Sequence, residues 1–289
     1  MIITRLKGGL GNQLFQYAAG LMLAKKFNEE LKLDVSGFEH PAHMNSDTPR
    51  TYQLKAFAIS GGVASKEEAM NARNPYGILS RLWRFFNQRI LKRNVYFDYH
   101  PDYFKKRHNY VEGYFQSEKN FLDIEKEIRN EFTLKKEFES EFFVIQKEEI
   151  VSKNCVSVHI RRGDYVKDQK TQNFHGNCSK DYYERAMEYI QSNVTDPTFC
   201  FFSDDIEWTK KEFGEHPKHL FVSNPRLEDY EELVLMSFCK HHIIANSSFS
   251  WWGAWLNTNP HKIVVTPKKW LQVDPDPQPN ILPDSWVRM

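Results

Sequence analysis

The chain is poor in most features that would place it at a glance. It has only four cysteines in 289 residues, Cys155, Cys178, Cys200 and Cys239, with no metal-type spacing, and two of them lie in apolar strand-like runs. That usage favours buried free thiols over a disulfide framework and fits a reducing compartment. No apolar run approaches the roughly 20 residues needed to span a bilayer. Met1-Ile2-Ile3 runs straight into glycines without the hydrophobic region of a signal peptide, so a cytoplasmic protein is expected. A net charge of +1 offers no broad field to a polyanion, which argues against nucleic acid as a partner. Internal repeats, low-complexity tracts, a G-x-S-x-G elbow and a P-loop lysine motif are all missing, so hydrolase and nucleoside-triphosphatase readings have little support. The histidines are scattered, and His241-His242 opens a strand without acidic or cysteine partners at ligand spacing.

What is present suits packed cores: 40% of residues are hydrophobic and 15% aromatic. The length suits two domains, placed at 1–148 and 149–289. The second half alternates strand-like runs near 155–160, 198–203, 219–223, 242–246 and 262–266 with helical patterns near 180–192, 205–213, 227–240 and 250–257. Such alternation predicts a parallel sheet with helices on its faces. The first half starts alike, with a strand at Ile2 to Leu6, a turn at Gly8 to Gly11, an amphipathic helix from Leu14 to Phe27 and a strand at Leu31 to Asp34. From Ser36 to Tyr110 no period emerges. The Lys/Glu-rich run Lys135 to Glu149 reads as a solvated helix face at the passage into the second domain. Two α/β domains with parallel sheets facing a central cleft is the economical architecture.

Four segments could carry chemistry. Val156 to Tyr165 takes a strand with Val156, Val158 and Ile160 inward straight into His159-Ile160-Arg161-Arg162-Gly163-Asp164, at the strand end where open α/β sheets bind ligands. Arg161 is expected to face a ligand and Arg162 to be braced by a carboxylate such as Asp164. A planar guanidinium fork suits a pyrophosphate, although a structural Arg–Asp pair would leave the same trace. Gly8-Gly9-Leu10-Gly11-Asn12-Gln13 lies between strand and helix, where glycines admit a ligand to the backbone. It half-imitates a dinucleotide fingerprint, with Leu14 in place of the third glycine and Asp34 at the distance of a ribose-binding acid. A plain turn with Asn12 as a cap leaves Gln13 unexplained. Asn246-Ser247-Ser248-Phe249-Ser250 brings hydroxyls and amides to the start of the helix Trp251 to Leu256, fit for a diphosphate or for an ordinary cap by Ser248 or Ser250. In Phe202-Ser203-Asp204-Asp205, Ser203 occupies the first position of a D-x-D metal motif, so Asp204 or Asp205 is expected to meet a nucleoside or cap the next helix.

Taken in order, Gly8 to Ala18, His159 to Tyr165 and Asn246 to Trp252 resemble the α-1,2-fucosyltransferases of glycosyltransferase family 11, over roughly residues 1–270. The His-x-Arg-Arg-x-Asp core is shared more widely with α-1,6- and protein O-fucosyltransferases. The resemblance implies a GT-B-type fold and inverting transfer of L-fucose from GDP-β-L-fucose to a galactose 2-hydroxyl, with no metal or other cofactor. It also implies roles: Arg161 on the β-phosphate, His159, Arg162 and Asp164 holding the nucleotide or the arginines, and Asp204 toward the guanosine. Asn246, Ser247, Ser248, Phe249 and Ser250 would line the phosphates, and Gly11 and Asn12 would close on the sugar from the first domain. Asp168 is the candidate general base, with Asp164 as the alternative.

Partners are then a nucleotide sugar and a glycan acceptor. Trp83, Phe85 and Phe86 could touch a sugar or a membrane surface, or simply pack inward. The rivals are a fucosyltransferase of other linkage such as α-1,6, an NAD-dependent oxidoreductase resting on Gly9, Gly11 and Asp34, and a non-catalytic glycan-binding protein using tryptophans and tyrosines as sugar platforms.

Overall fold

The computed structural model describes residues 1–38, 50–75, 77, 79, 99–162, 178–271 and 280–289. The chain divides into two compact units, Met1–Thr133 with Pro279–Pro283, and Leu134–Gln278 with Asp284–Met289. Each is an α/β unit built on its own parallel sheet.

The first unit runs β1 (Ile2–Arg5), α1 (Leu10–Phe27), β2 (Leu31–Asp34), β3 (Gly62–Val63), α2 (Lys66–Arg73), β4 (Tyr110–Val111) and α3 (Glu125–Glu131). Its sheet order is β3-β2-β1-β4. Helix α1 starts at Leu10, earlier than the apolar pattern suggested, because extended Gly9 serves as its N-cap residue. Gly11, Asn12 and Gln13 therefore lie inside the first turn. Gly8 makes the reversal into that turn at φ +81°, where a Cβ would also stand 2.9 Å from the Asn12 amide. The stretch without a readable period contains β3 and α2, elements of two and eight residues that are too short to declare one. Helix α2 is nonetheless well marked at its start, by a capping box of Ser65 and Glu68.

The second unit runs α4 (Glu141–Ser152), β5 (Cys155–Ile160), α5 (Lys180–Asn193), β6 (Thr198–Ser203), α6 (Ile206–Phe213), β7 (His219–Phe221), α7 (Asp229–Phe238), β8 (His241–Ile243), α8 (Ser248–Leu256), β9 (Val264–Thr266) and β10 (Val287–Arg288). The sheet order is β10-β9-β8-β5-β6-β7. The break between units falls at Thr133/Leu134 rather than after residue 148. The Lys/Glu-rich run belongs to the second unit because buried Glu231 on α7 accepts the Ser140 N–H at 2.7 Å, just before α4.

Strands β5 and β6 are buried along all six residues each, where the alternation of β5 had suggested a single inward face. Helices cover both sides of a parallel sheet, so even the polar positions of a central strand are enclosed. Ser157 and His242 satisfy each other there at 2.8 Å, and Asn257 reaches the far His242 nitrogen at 2.9 Å. Burial drives His242 well toward its neutral form, in keeping with a structural role. Three of the four cysteines are buried and all four are free thiols. Helix α8 is a core helix: Trp251, Trp252 and Trp255 are 0%, 0% and 3% exposed. Gly253 lets it close on α7, since a Cβ there would lie 2.8 Å from that of Met236. None of the described helices is long and apolar enough to cross a membrane.

Candidate functional site

Strands β8, β5, β6 and β7 are adjacent in the second sheet and end along one edge, the carboxyl edge where open α/β sheets take ligands. At the end of β5, Arg161 Nη1 lies 2.8 Å from Asp204 Oδ2. The other oxygen of Asp204 accepts the Arg162 backbone N–H at 2.9 Å. Arg162 turns elsewhere: its Nε lies 3.3 Å from Asp205 Oδ2 and its guanidinium sits 3.7 Å from the Trp208 ring centroid. The two arginines are thus splayed, as adjacent residues leaving a strand must be, and each guanidinium is paired with a different carboxylate of the Asp204-Asp205 pair, Arg162 by charge and without a hydrogen bond from its buried Nε among the described residues. The brace of Arg162 is Asp205, and the proposed brace Asp164 lies outside the described residues, as do Gly163 and Asp168.

Asp204 has a role the sequence reading did not give it. Both of its oxygens hold the arginines, and Asp204 itself stays exposed. Asp205 fulfils the capping alternative, accepting the Trp208 N–H at 3.2 Å from the first turn of α6. His159 is 5% exposed, with its ring 5.6 Å from that of Phe249. Its backbone carbonyl accepts the Tyr183 hydroxyl at 3.0 Å. Burial, reinforced by Arg161 and opposed by Asp204, pulls the imidazole well below its ordinary pKa, so it is neutral at physiological pH. Among the described residues its buried Nδ1 has no partner.

The hydroxyl segment at the end of β8 splits into structural and exposed parts. Asn246 is tied down, donating to the Trp270 carbonyl at 3.3 Å and accepting a weak bond from Cys178 Sγ at 3.7 Å. Ser247, rather than Ser248 or Ser250, caps α8 by accepting the Phe249 N–H at 3.3 Å. Ser250 is 1% exposed and donates back to the Ser247 carbonyl at 3.4 Å. Ser248 and Phe249 stay half-buried at the start of the helix.

One acid escaped the sequence reading. Glu232, in the first turn of α7, accepts the Ser223 hydroxyl at 2.9 Å, and Ser223 in turn accepts the Ser203 N–H at 2.9 Å. This relay joins the ends of β6 and β7. Burial raises the Glu232 carboxyl to about 7, with Asp229 and Asp204 adding to the rise and Ser223 and the Asn224 amide opposing it. The sequence hides it within Glu228-Asp229-Tyr230-Glu231-Glu232, where any of four acids could be a helix-start charge. The edge therefore reads, in spatial order, hydroxyls and a helix N-terminus at β8, two braced arginines at β5, and an acid held near its titration point beyond β6.

In the first unit, Asn12 accepts from Gln116 Nε2 at 2.6 Å and Gly11 is buried. Gln13 acquires its explanation: fully buried, it donates to the carbonyls of Gly8 and Thr51 at 3.0 and 2.9 Å and accepts the Gln53 N–H at 3.1 Å. It clamps residues 51–53 to the glycine turn. Asp34 is 4% exposed, and its oxygens accept from the Ser36 N–H and the Tyr110 hydroxyl. A ribose-binding acid needs an open carboxylate, so the dinucleotide reading loses its second element. The glycan-binding reading loses Trp251, Trp252 and Trp255 to the core of α8, while Trp208 is half-buried against Arg162. Trp83, Phe85 and Phe86 lie outside the described residues.

A family model, Glycosyl transferase family 11, matches residues 81–287. An alpha-1,2-colitosyltransferase of Escherichia coli is 32% identical over 100% of this chain and 99% of its own length. A galactoside 2-alpha-L-fucosyltransferase, Sec1 of Mus musculus, is 23% identical over 89% of this chain and 64% of its own. Among solved structures, the alpha-1,6-fucosyltransferase NodZ soaked with GDP-fucose superposes with a TM-score of 0.51 at 14% identity, covering 88% of this chain and 91% of NodZ. That likeness gives the fold, which is of GT-B type.

Proposed function

This chain belongs to glycosyl transferase family 11, and from that premise we propose that it transfers L-fucose from GDP-β-L-fucose to the 2-hydroxyl of a galactose in a glycan, with inversion. The observation that carries the reading is the pair of arginines at the end of β5, each fixed by its own carboxylate, beside the hydroxyl-rich start of α8. A departing diphosphate needs fixed positive charge where its own charge grows, and a braced guanidinium supplies that without reorganising. Arg161 takes this role, and Ser248 and the first N–H groups of α8 hold phosphate oxygens. Guanidinium and helix end together replace the divalent ion that other transferases use, so transfer proceeds in EDTA.

A diphosphate seated between β8 and β5 puts the base toward β6 and β7, where Glu232 lies. Guanine alone among the common bases offers an adjacent N1–H and N2–H₂ pair to a carboxylate, so Glu232 is placed to read the base. The acceptor hydroxyl attacks the anomeric carbon opposite the leaving GDP through an oxocarbenium-like transition state, and a single displacement inverts the centre. Asp168 is the proposed base for that hydroxyl, with Asp164 as the alternative.

The bacterial relative favours a second donor. Colitose is L-fucose without its 3-hydroxyl, so GDP-colitose would occupy the same diphosphate and base contacts. The first experiment is calorimetric titration with GDP in EDTA, with UDP and NAD as controls, followed by transfer assays with GDP-fucose and GDP-colitose. Selective GDP binding that Arg161→Ala abolishes supports the reading, and NAD binding without GDP binding overturns it. A preference for GDP-colitose moves the donor sugar and leaves the rest in place.

A further inference from the structure

The carboxyl edge of the first sheet carries its own cluster of charge, which the transfer chemistry above does not use. Arg5, at the end of β1, forms an ion pair with Glu112, just past β4. Arg73, ending α2, lies 3.7 Å from the same Glu112 oxygen and 5.9 Å from the Tyr110 ring centroid. Asp34 at the end of β2 is already taken by Ser36 and Tyr110. Lys7 follows β1 by two residues, and its ammonium sits 4.6 Å from the Tyr114 ring centroid. Its backbone is fixed, since its N–H donates to Gln16 Oε1 at 2.9 Å. The described residues provide no ion pair for its side chain.

Three cations stand here with two carboxylates, and among the described residues the one that forms no ion pair is Lys7, half-buried on an aromatic face. Burial pushes the Lys7 ammonium toward its neutral form, Glu112 opposes this, and Arg5 and Arg73 add to the push. An incoming anion relieves that stress, whereas a neutral hydroxyl does not. Position supports the same conclusion: Lys7 stands at a strand's carboxyl end, immediately before the glycine turn, on a surface a ligand of an open α/β sheet can reach.

We propose that Lys7 determines acceptor specificity: held over the Tyr114 ring, its ammonium receives an anionic group carried by the galactoside acceptor. The inference rests on the galactoside-transferase reading for the identity of the ligand and on the first unit alone for the contact. A carboxylate or a phosphate supplies the same chemistry, so the test carries both.

The test is equilibrium binding, in the presence of GDP, of lactobionate, lactose 1-phosphate and the neutral analogue lactitol to wild type, Lys7→Gln and Lys7→Arg. Wild type is expected to bind at least one anionic galactoside about tenfold more tightly than lactitol, the scale of one charge-assisted hydrogen bond. Lys7→Gln should abolish that difference, and Lys7→Arg, which keeps the charge, should retain most of it. The stronger of the two anions identifies the group. Equal binding of all three galactosides, binding of none, or a preference that survives in Lys7→Gln overturns the proposal. A GDP titration alongside separates the two readings: failure to bind GDP sinks the donor assignment, while the galactoside comparison, which needs no turnover, still decides this one.

Discussion

The carboxyl edges of the two sheets solve the problem of placing positive charge in opposite ways. On the second sheet each arginine has its own acid, Arg161 with Asp204 and Arg162 with Asp205, and Trp208 adds a second hold on Arg162. On the first, Glu112 serves Arg5 and Arg73 together, and Lys7 rests on a ring. A fully braced cation is stiff and its field points one way, which suits a charge that develops at one atom during reaction. A cation on a ring that forms no ion pair among the described residues keeps its donors for whatever arrives, which suits recognition. The difference teaches that counting basic residues at a strand end says little until the partner of each is known.

The sharpest way to break the comparison is Arg161→Ala, which removes the stiff charge and leaves Asp204 without its guanidinium. The expected loss is about 2–4 kcal/mol in transition-state stabilisation, read as a fall in kcat measured at saturating donor. Equal losses from Arg161→Ala and Arg162→Ala would contradict the division of labour assigned to them. On the first edge the stiff element is Gln13, not a charge. Gln13→Ala leaves two carbonyls and an N–H without their partner, and denaturant unfolding should register a loss of about 1–3 kcal/mol.

Glu232 offers a test by pH. Its carboxyl titrates at about 7 in the fold, above the ordinary range. The folded protein therefore holds a proton there that the unfolded chain releases, so this group's contribution to stability is present at low pH and is lost as pH rises toward and through 7. Glu232→Gln should flatten that decline in melting temperature. Guanine binding needs the ionised form, so GDP affinity should weaken by about tenfold for each pH unit below 7. Glu232→Gln should also lose the preference for GDP over IDP, because inosine lacks the exocyclic amine. A flat affinity between pH 5.5 and 8 removes Glu232 from the base site. The smallest effect is expected from Trp208→Leu, which takes away one of two holds on Arg162: about 0.5–2 kcal/mol in GDP binding by calorimetry, with Arg161 chemistry intact.

Much of the second sheet was legible. Runs such as Val156 to Ile160 and Thr198 to Ser203 are long, apolar and bounded by turn residues, so period and length agree. The two-residue strands β3, β4 and β10 carry no period at all, and only pairing to a longer neighbour makes them strands. The site was half legible for a related reason. His159, Arg161 and Arg162 announce themselves because charge at a buried strand's end is costly without a purpose. Gln13 and Glu232 do not, since a glutamine in a helix and one acid among four have ordinary explanations.

The sequence by itself determined that this is an α/β chain with parallel sheets, that a pair of arginines follows β5, and that its motifs are those of a family 11 transferase. These are properties of order and spacing along the chain. Only the tertiary structure decided which acid pairs with which arginine, that Ser247 rather than Ser248 or Ser250 caps α8, and that Asp34 is sealed while Lys7 forms no ion pair among the described residues. Ion pairs and burial depend on distances between residues tens of positions apart, and a parallel sheet sets those distances through a strand order that the order of the chain does not state.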